Sequence, residues 1–513
     1  MLGGEALWAA VLYLTTGLAG VVLAFAVGWP LTGSRSTLWW IGNGLAGLGG
    51  LSFLLLARAR GLLSVGWPGL CFVLVFGLFH FASLGEHPRG WYAPALREVA
   101  WLLCACSLLG WMCGYAIGRG AQRVRRDPLV RFAGGRLEPR DARVVAWLGA
   151  LMFAAGLGMQ YALVRGHGLS QFFEMGYMEV RHATAASSGN PLSYLYSLGQ
   201  LVCTVGVTLT ACATSLGRVH GFPRRWFVAL VFSYAACLLA LGDRSEVLVV
   251  VFPVLLVRHY YVKPFRLGHA VAIVLVVAMA FTGASIYRGS KRVEDFAAAA
   301  LDPSELTRGM DEAGYTFDTV VRSMVLVPDR HPYFAGRTYL DAFARAWPNV
   351  TLTPRRWGFV SSEWVTRETA PRMHAKGEGL AFSIVAEAYI NFGLWGTPLV
   401  LGLIGWLHAR GERVLAGPRI ALVSVVVYVL CEIALLLHVR NTVVMYLRGA
   451  IWMVVLALPV LLVVAVSRWT RRHALSQPAS ARLASRSVEW PRPARRTQSS
   501  SGRVAQLASS SES

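Results

Sequence analysis

Charge is what this sequence has least of. Charged residues fill 15% of its 513 positions, against about 25% in a typical soluble domain. Acids are the scarcer sign, with 27 Asp and Glu against 49 Lys and Arg. Hydrophobic residues make up 55% and the mean hydropathy is +0.50. They are grouped into runs of roughly 16–24 residues, long enough to cross a hydrocarbon core of about 30 Å. That pattern excludes a soluble enzyme. Extramembrane cysteine is also missing: Cys71, Cys104, Cys106, Cys113, Cys203, Cys212, Cys237 and Cys431 all lie inside apolar runs. A disulfide framework or zinc site is thereby excluded, and the thiols read as small buried hydrophobes. The chain has no Gly-x-x-x-x-Gly-Lys loop, no His-Glu-x-x-His helix and no Asp-x-Asp pair, which removes the usual devices for nucleotide phosphates, catalytic zinc and metal-bound nucleotide sugars. It has no internal repeat. The first apolar stretch, Ala6 to Gly28, lacks a basic leader and a cleavage site and reads as a retained helix.

What is there is positive charge, and its location matters. Residues 118–143 carry a net +5 and the tail from Arg468 to Ser513 a net +7, together more than half of the total +22. Both flank apolar runs, as the positive-inside rule requires of cytoplasmic segments, so nucleic acid is not needed to explain the arginines. The hydropathy pattern predicts an all-α, polytopic membrane protein with spans at 6–28, 38–57, 63–84, 97–117, 144–164, 192–216, 226–241, 247–262, 269–287, 382–407, 419–438 and 444–467. With a cytoplasmic amino terminus, every alternate connection is basic: Arg58 and Arg60; residues 118–143; Arg218, Arg224 and Arg225; Lys263 and Arg266; Arg410, Arg413 and Arg419; and the tail. Twelve crossings satisfy that alternation. The chain then divides into helices one to nine (1–287), a large extracytoplasmic loop (288–381), helices ten to twelve (382–467) and a basic disordered cytoplasmic tail (468–513). The loop contains helical patterning, with Leu306, Met310, Phe317, Val320, Val321 and Met324 near the 3.6-residue period.

Ionisable groups at membrane depth are costly and tend to mark function. In this topology they gather at the outer ends of spans: Arg97 and Glu98; Arg288, Lys291 and Arg292; Glu387; Glu432, His438 and Arg440; and Arg448. The inner halves read as nearly empty of them. Gly242-Asp243-Arg244-Ser245-Glu246 joins two short apolar runs, so the turn is expected to lie below the outer surface. There a guanidinium suits a planar phosphate, although the turn's own acids and arginine also satisfy one another. His374 and Glu378 precede the tenth span, where a general base meets a substrate arriving from outside; both also read as solvated loop residues. Glu387 and Glu432 need partners, and pairing with Arg288 or Arg440 stands beside a catalytic role.

Residues Ala381 to Gly396, which include Glu387-Ala-Tyr389-Ile-Asn391-Phe392-Gly393, resemble the acidic-Ala-Tyr-x-Asn-Phe-Gly-x-x-Gly pattern of the bacterial oligosaccharide repeat-unit polymerases, the Wzy type. Gly336-Arg-Thr-Tyr339 followed by Trp347-Pro348 is similar to the outer-loop pattern of the same family, and Gly242-x-Arg244 and Tyr287-Arg288-Gly289 fit it. Arg165 and Gly176 reproduce a spacing seen in some of its members. Asn349 stands where a basic residue usually follows the loop proline.

The resemblance implies a glycosyltransferase without metal or cofactor in the bacterial cytoplasmic (inner) membrane, both termini cytoplasmic. It would polymerise undecaprenyl-pyrophosphate-linked oligosaccharide repeat units into O-antigen or exopolysaccharide at the outer face. A hydroxyl of one repeat attacks the anomeric carbon of the growing chain, and lipid pyrophosphate leaves. Arg244, Arg288, Arg292 and Lys291 are expected on the pyrophosphate, with Arg165, Arg440 and Tyr339 binding substrate and Glu387 or His374 as base. Membrane lipid is an implied partner, as are a chain-length regulator and a flippase. An O-antigen ligase shares these features, and a transporter shares the helix count, although its longest connection usually lies inside between two repeats. Arg244→Ala is expected to abolish chain growth at unchanged protein level, and Arg244→Lys to restore little, because lysine lacks the planar fork. Polymer length on a gel checks both.

Overall fold

The computed structural model describes residues 67–81, 94–119, 137–167, 191–217, 219–241, 244–263, 315–346, 360–375, 379–413 and 422–476, with isolated positions 265, 269 and 273. Thirteen helices and no strand are present among them. In chain order they are α1 (Trp67–Phe81), α2 (Pro94–Arg119), α3 (Pro139–His167), α4 (Pro191–Leu216), α5 (Arg224–Ala240), α6 (Arg244–Tyr261), α7 (Tyr315–Leu326), α8 (Arg337–Ala346), α9 (Ser361–Thr369), α10 (Pro371–Ala375), α11 (Ile384–Glu412), α12 (Leu422–His438) and α13 (Val443–Ser476). Nine of the expected spans fall on α1–α6 and α11–α13; those at 6–28, 38–57 and 269–287 lie outside the described residues. Among the described residues five helices are long and apolar enough to cross a membrane, and α1 and α12 are shorter apolar helices. Two compact units divide the chain, residues 1–464 and 465–513. Within the described part of the second, Trp469 and His473 meet edge to face.

Apolar helices gain little from hydrophobic burial inside lipid, so close backbone approach has to hold them together. Two glycine seams supply it. Gly110, Gly114 and Gly118 recur every four residues on α2 and face the backbone of Pro398, Gly402 and Trp406 on α11. A methyl group at Gly114 would meet the Gly402 carbonyl oxygen at far below contact distance. The pairing advances in the same direction on both helices, so α2 and α11 run parallel. On α3 and α4 the order reverses: Gly149 faces Gly206, and Gly156 faces Gly199, where added methyl groups would lie 2.6 Å from the opposing carbonyl oxygens of Gly199 and Gly149. That pair is antiparallel.

The helix ends sort into two sets. At one end, Glu412 accepts from Tyr115, from Tyr260 at 2.5 Å and from Arg119 at 2.7 Å, joining the carboxyl ends of α2, α6 and α11. The Leu137 amide beside α3 donates to Leu216 at the close of α4. At the other end lie the close of α1, the starts of α11 and α13 and the close of α12. His80 shows how the chain is locked there. Its Nδ1 faces the Phe76 carbonyl at 3.1 Å, which only accepts, so Nδ1 carries the proton. Nε2 therefore accepts from Ser383 Oγ at 2.8 Å. Ser383 in turn caps α11 by accepting from the Val385 and Ala386 amides, an arrangement worth about 1 kcal/mol. Exposed Tyr194 and Trp226 stand in the first turns of α4 and α5, as in the aromatic belts of membrane proteins.

The stretch after residue 314 is packed down. α7 buries Phe317, Val320, Val321 and Met324, the residues marked by the helical period, against α1, α2 and α11; Leu306 and Met310 lie outside the described residues. Ionisable groups are also buried toward the Glu412 end of the helices, where the hydropathy pattern showed almost none. Glu432 pairs with His408 on α11 at 2.9 Å, with both side chains almost wholly buried, and does not need Arg440. The rings of Phe72, Trp111 and Tyr115 surround His408. One turn further along α11 lies the Glu412 cluster. Hydropathy hid these groups because each sits singly among apolar neighbours and finds its partner on another helix.

Gly114→Leu is expected to force α2 off α11, with a cost at or above the roughly 1–3 kcal/mol of ordinary overpacking. Gly158→Ala, where an added methyl group meets nothing within 4 Å, is expected to be neutral. Thermal unfolding of the purified protein, followed by gel filtration, separates the two.

Candidate functional site

The site is built where α11 breaks. Residues 384–392 form its first turns; at Gly393 the backbone turns to φ 68°, ψ −165°, and the helix then resumes. Glycine is required there because a β-carbon at that φ is strained and would also press on the Tyr333 ring at 3.1 Å. Just before the break, the carbonyls of Ile390 and Asn391 accept from the amides of Phe334 and Ala335, at 3.0 and 3.1 Å. Asn391 Oδ1 accepts from the Gly336 amide at 2.9 Å. Its Nδ2 donates to Thr338 Oγ1 and to the Glu387 carbonyl, both at 2.7 Å. Gly336, at φ 90°, makes the turn that brings α8 onto this face and lets Phe392 approach. The Tyr339 ring then stacks on Phe392 with centroids 6.1 Å apart. Two segments more than forty residues apart in sequence thus form one polar surface.

Glu387 is fully buried at its centre. Oε1 accepts from Ser361 Oγ at 2.6 Å and Oε2 from the Val443 amide at 3.4 Å, while the Thr338 hydroxyl also faces the carboxyl. One carboxylate therefore ties together α8, α9, α11 and the start of α13, where the helix dipole favours negative charge. Around it two hydroxyls are buried with no hydrogen-bond partner, Tyr339 Oη and Thr442 Oγ1. Burial and the neighbouring Glu387 push the Tyr339 phenol well above its ordinary pKa, so it keeps its proton and remains a donor. His438 is buried beside Tyr446, and the Arg440 guanidinium lies 5.2 Å over the Phe79 ring. A fully buried polar group without a partner costs about 1–3 kcal/mol, and a ligand hydroxyl or phosphate oxygen would remove that cost here.

Of the residues singled out from the sequence, Glu387 and Tyr339 come together at this site, and Arg440 lies at the same end of the helices. Asn391, Gly336 and Gly393, part of the two motifs, prove to be its hinge and its clamp. His374 is exposed on the short α10 and touches none of these groups among its described contacts. Arg165 is exposed near the close of α3. Arg244 begins α6. Arg288, Lys291, Arg292 and Glu378 lie outside the described residues. Ser361, Thr338, Thr442 and the His80–Ser383 pair went unnoticed, because serine and threonine beside a span carry no distinctive pattern. Thr338 and Ser383 had a signal, their positions inside the Gly336–Tyr339 and Ala381–Gly396 stretches. The described residues contain no cluster of His, Cys, Asp and Glu suited to a metal.

Asn391→Ala is expected to cost about 2–4 kcal/mol, since it removes hydrogen bonds and leaves the Gly336 amide and Thr338 hydroxyl short of a partner. Asn391→Asp keeps the acceptor for Gly336 but puts a second carboxylate beside Glu387, and is expected to be at least as damaging. Melting temperatures of the two variants check this. A sequence model of the family described as O-antigen polysaccharide polymerase Wzy matches residues 223–473. No curated protein and no solved structure matches the chain.

Proposed function

We propose that the chain, matched through residues 223–473 by the O-antigen polysaccharide polymerase Wzy family model, is a polymerase of that family and joins undecaprenyl-pyrophosphate-linked repeat units at the outer face of the bacterial inner membrane. The observation that carries the reading is the clamp between Gly336–Tyr339 and Glu387–Gly393. It gathers the two motifs into one buried polar constellation at a single end of the helices, with the Tyr339 and Thr442 hydroxyls still lacking partners.

Topology follows the same proposal. The chain crosses twelve times with both termini cytoplasmic, and residues 288–381 form the large outer loop. The parallel packing of α2 and α11 and the antiparallel packing of α3 and α4 agree with that alternation. So does the gathering of Arg119, Arg410 and Arg413 at the end opposite the site.

Chemically, the acceptor hydroxyl forms a bond to the anomeric carbon of the growing chain as the bond to the lipid pyrophosphate breaks. The hydroxyl proton goes to a base and the negative charge leaves on the pyrophosphate. No metal takes part in this scheme. Arg244, Arg288, Lys291 and Arg292 neutralise the departing charge, and electrostatic stabilisation of this kind in a water-poor site is worth several kcal/mol. Tyr339 supplies a hydrogen-bond donor to the substrate, and Arg440 and Arg165 add positive charge at the outer ends. Glu387 is so fully engaged by Ser361 and Val443 that its first duty is to position the mouth. Serving as base requires Ser361 to release it. His374, exposed on the loop, is the alternative base. A chain-length regulator and a flippase are the partners this place in the membrane calls for.

Extension of a lipid-linked repeat unit by the purified protein in liposomes tests the reading. Longer lipid-linked chains with release of undecaprenyl pyrophosphate are expected without added metal. Transfer of finished chains to a lipid core would make the protein a ligase, and flux of the repeat unit without chain growth would make it a transporter. Tyr339→Phe is expected to lower the extension rate about tenfold or more, in line with loss of one buried donor, while leaving the melting temperature nearly unchanged.

A further inference from the structure

α8 carries the Gly336–Tyr339 wall of the site, and its two faces are unlike those of an ordinary loop helix. Thr338, Ala342 and Ala346 are buried against the bundle. On the opposite side Leu340 is 73% exposed and Phe343 56%. A short helix facing water would be expected to present polar groups there. The apolar surface does not stop at α8. Through the Tyr339–Phe392 stack it continues onto α11, where Trp395 is 89% exposed and Leu399 75%. Those two side chains project from a helix apolar and long enough to cross the membrane, so lipid is what they meet.

Depth can be read along the same helix. After the break at Gly393 the helix runs unbroken from Leu394 to Glu412, about 28 Å at 1.5 Å per residue and close to the thickness of the hydrocarbon core. Asn391 holds the Gly336 amide immediately before α8. The short helix therefore starts level with one boundary of the hydrocarbon, with Trp395 just inside it, the usual depth of a tryptophan belt. Arg337 at its first position faces Asp341 at 3.7 Å and Arg345 stands in its last turn, charges of the kind an interfacial helix carries at the headgroup level.

We propose that α8 is an interfacial helix whose Leu340 and Phe343 face is immersed in the acyl chains of the bilayer. The occupant is lipid, because the face is continuous with the lipid-facing side of α11, and a protein partner would have to cover both. The consequence is mechanical. Leaflet lipid supports α8 from outside while Asn391 and Glu387 hold it from within, so the site wall sits at the depth where a lipid-linked diphosphate lies. Which leaflet is meant rests on the polymerase reading; contact with lipid does not.

Nitroxide labels at Leu340→Cys and Phe343→Cys test this in the full-length chain, with its natural cysteines replaced, in phosphatidylethanolamine–phosphatidylglycerol vesicles. Leu399→Cys serves as the lipid reference and Asp329→Cys, on an exposed turn, as the water reference. Relaxation by oxygen against a water-soluble nickel chelate is expected to place positions 340 and 343 with Leu399→Cys. Values matching Asp329→Cys, or protection from both agents, overturn the proposal. The natural chain gives a second measurement. A phospholipid with a diazirine in its acyl chain is expected to label the tryptic peptide 338–345, and absence of that adduct also overturns it. Chain growth is scored in the same vesicles: labelled α8 without extension leaves the lipid contact standing and removes the polymerase reading, whereas extension with a water-facing α8 does the reverse.

Discussion

Backbone polar groups inside a membrane have to find partners within the protein, and the site end of this fold is organised by how one helix meets that demand where it breaks. At Gly393 α11 leaves helical geometry, and the Ile390 and Asn391 carbonyls just before the break receive the Phe334 and Ala335 amides. An exposed break would be expensive in hydrocarbon. Here it is a docking rail that brings a distant segment to the helix and fixes it by main-chain hydrogen bonds. Asn391 extends the rail with its side chain, and Glu387 extends it to α9 and α13. The arrangement of the site follows from one glycine and the carbonyls next to it.

The opposite end uses charge where the site uses backbone. Glu412 is buried among Tyr115, Tyr260 and Arg119, and a little further into the bundle His408 meets Glu432 inside an aromatic cage. Removing Arg119 would leave the Glu412 carboxylate buried without its counter-charge, a change that typically costs about 3–5 kcal/mol. These groups lock the ends of α2, α6, α11 and α12 together, while the glycine seams set how closely the helices approach in between. The frame is thus fixed by buried charge at one end and clamped by main-chain hydrogen bonds at the other.

This division separates supporting groups from groups left open for a ligand. Ser361, Thr338, Asn391 and Ser383 have all their obvious partners within the fold. Tyr339 and Thr442 do not. Unpartnered buried hydroxyls are the groups this end leaves open to a ligand, whereas the Glu387 carboxylate is already engaged by donors.

The sequence by itself determined the solvent and much of the architecture. Runs of apolar residues with basic connections mark helices in a membrane, because uncompensated charge and unpaired backbone are costly in hydrocarbon, and the helical period marked the buried face of α7. The motifs around Glu387 and Gly336 were also legible, since glycine at positive φ and asparagine beside it leave a local signature. Tertiary structure alone decided that these two motifs are one site, that Glu387 answers Ser361 and the start of α13, and that Glu432 answers His408. Each of those facts depends on which residue lies across from which. In a chain where polar groups are single and surrounded by leucine, valine and alanine, only the packing of helices distant in sequence assigns the partner.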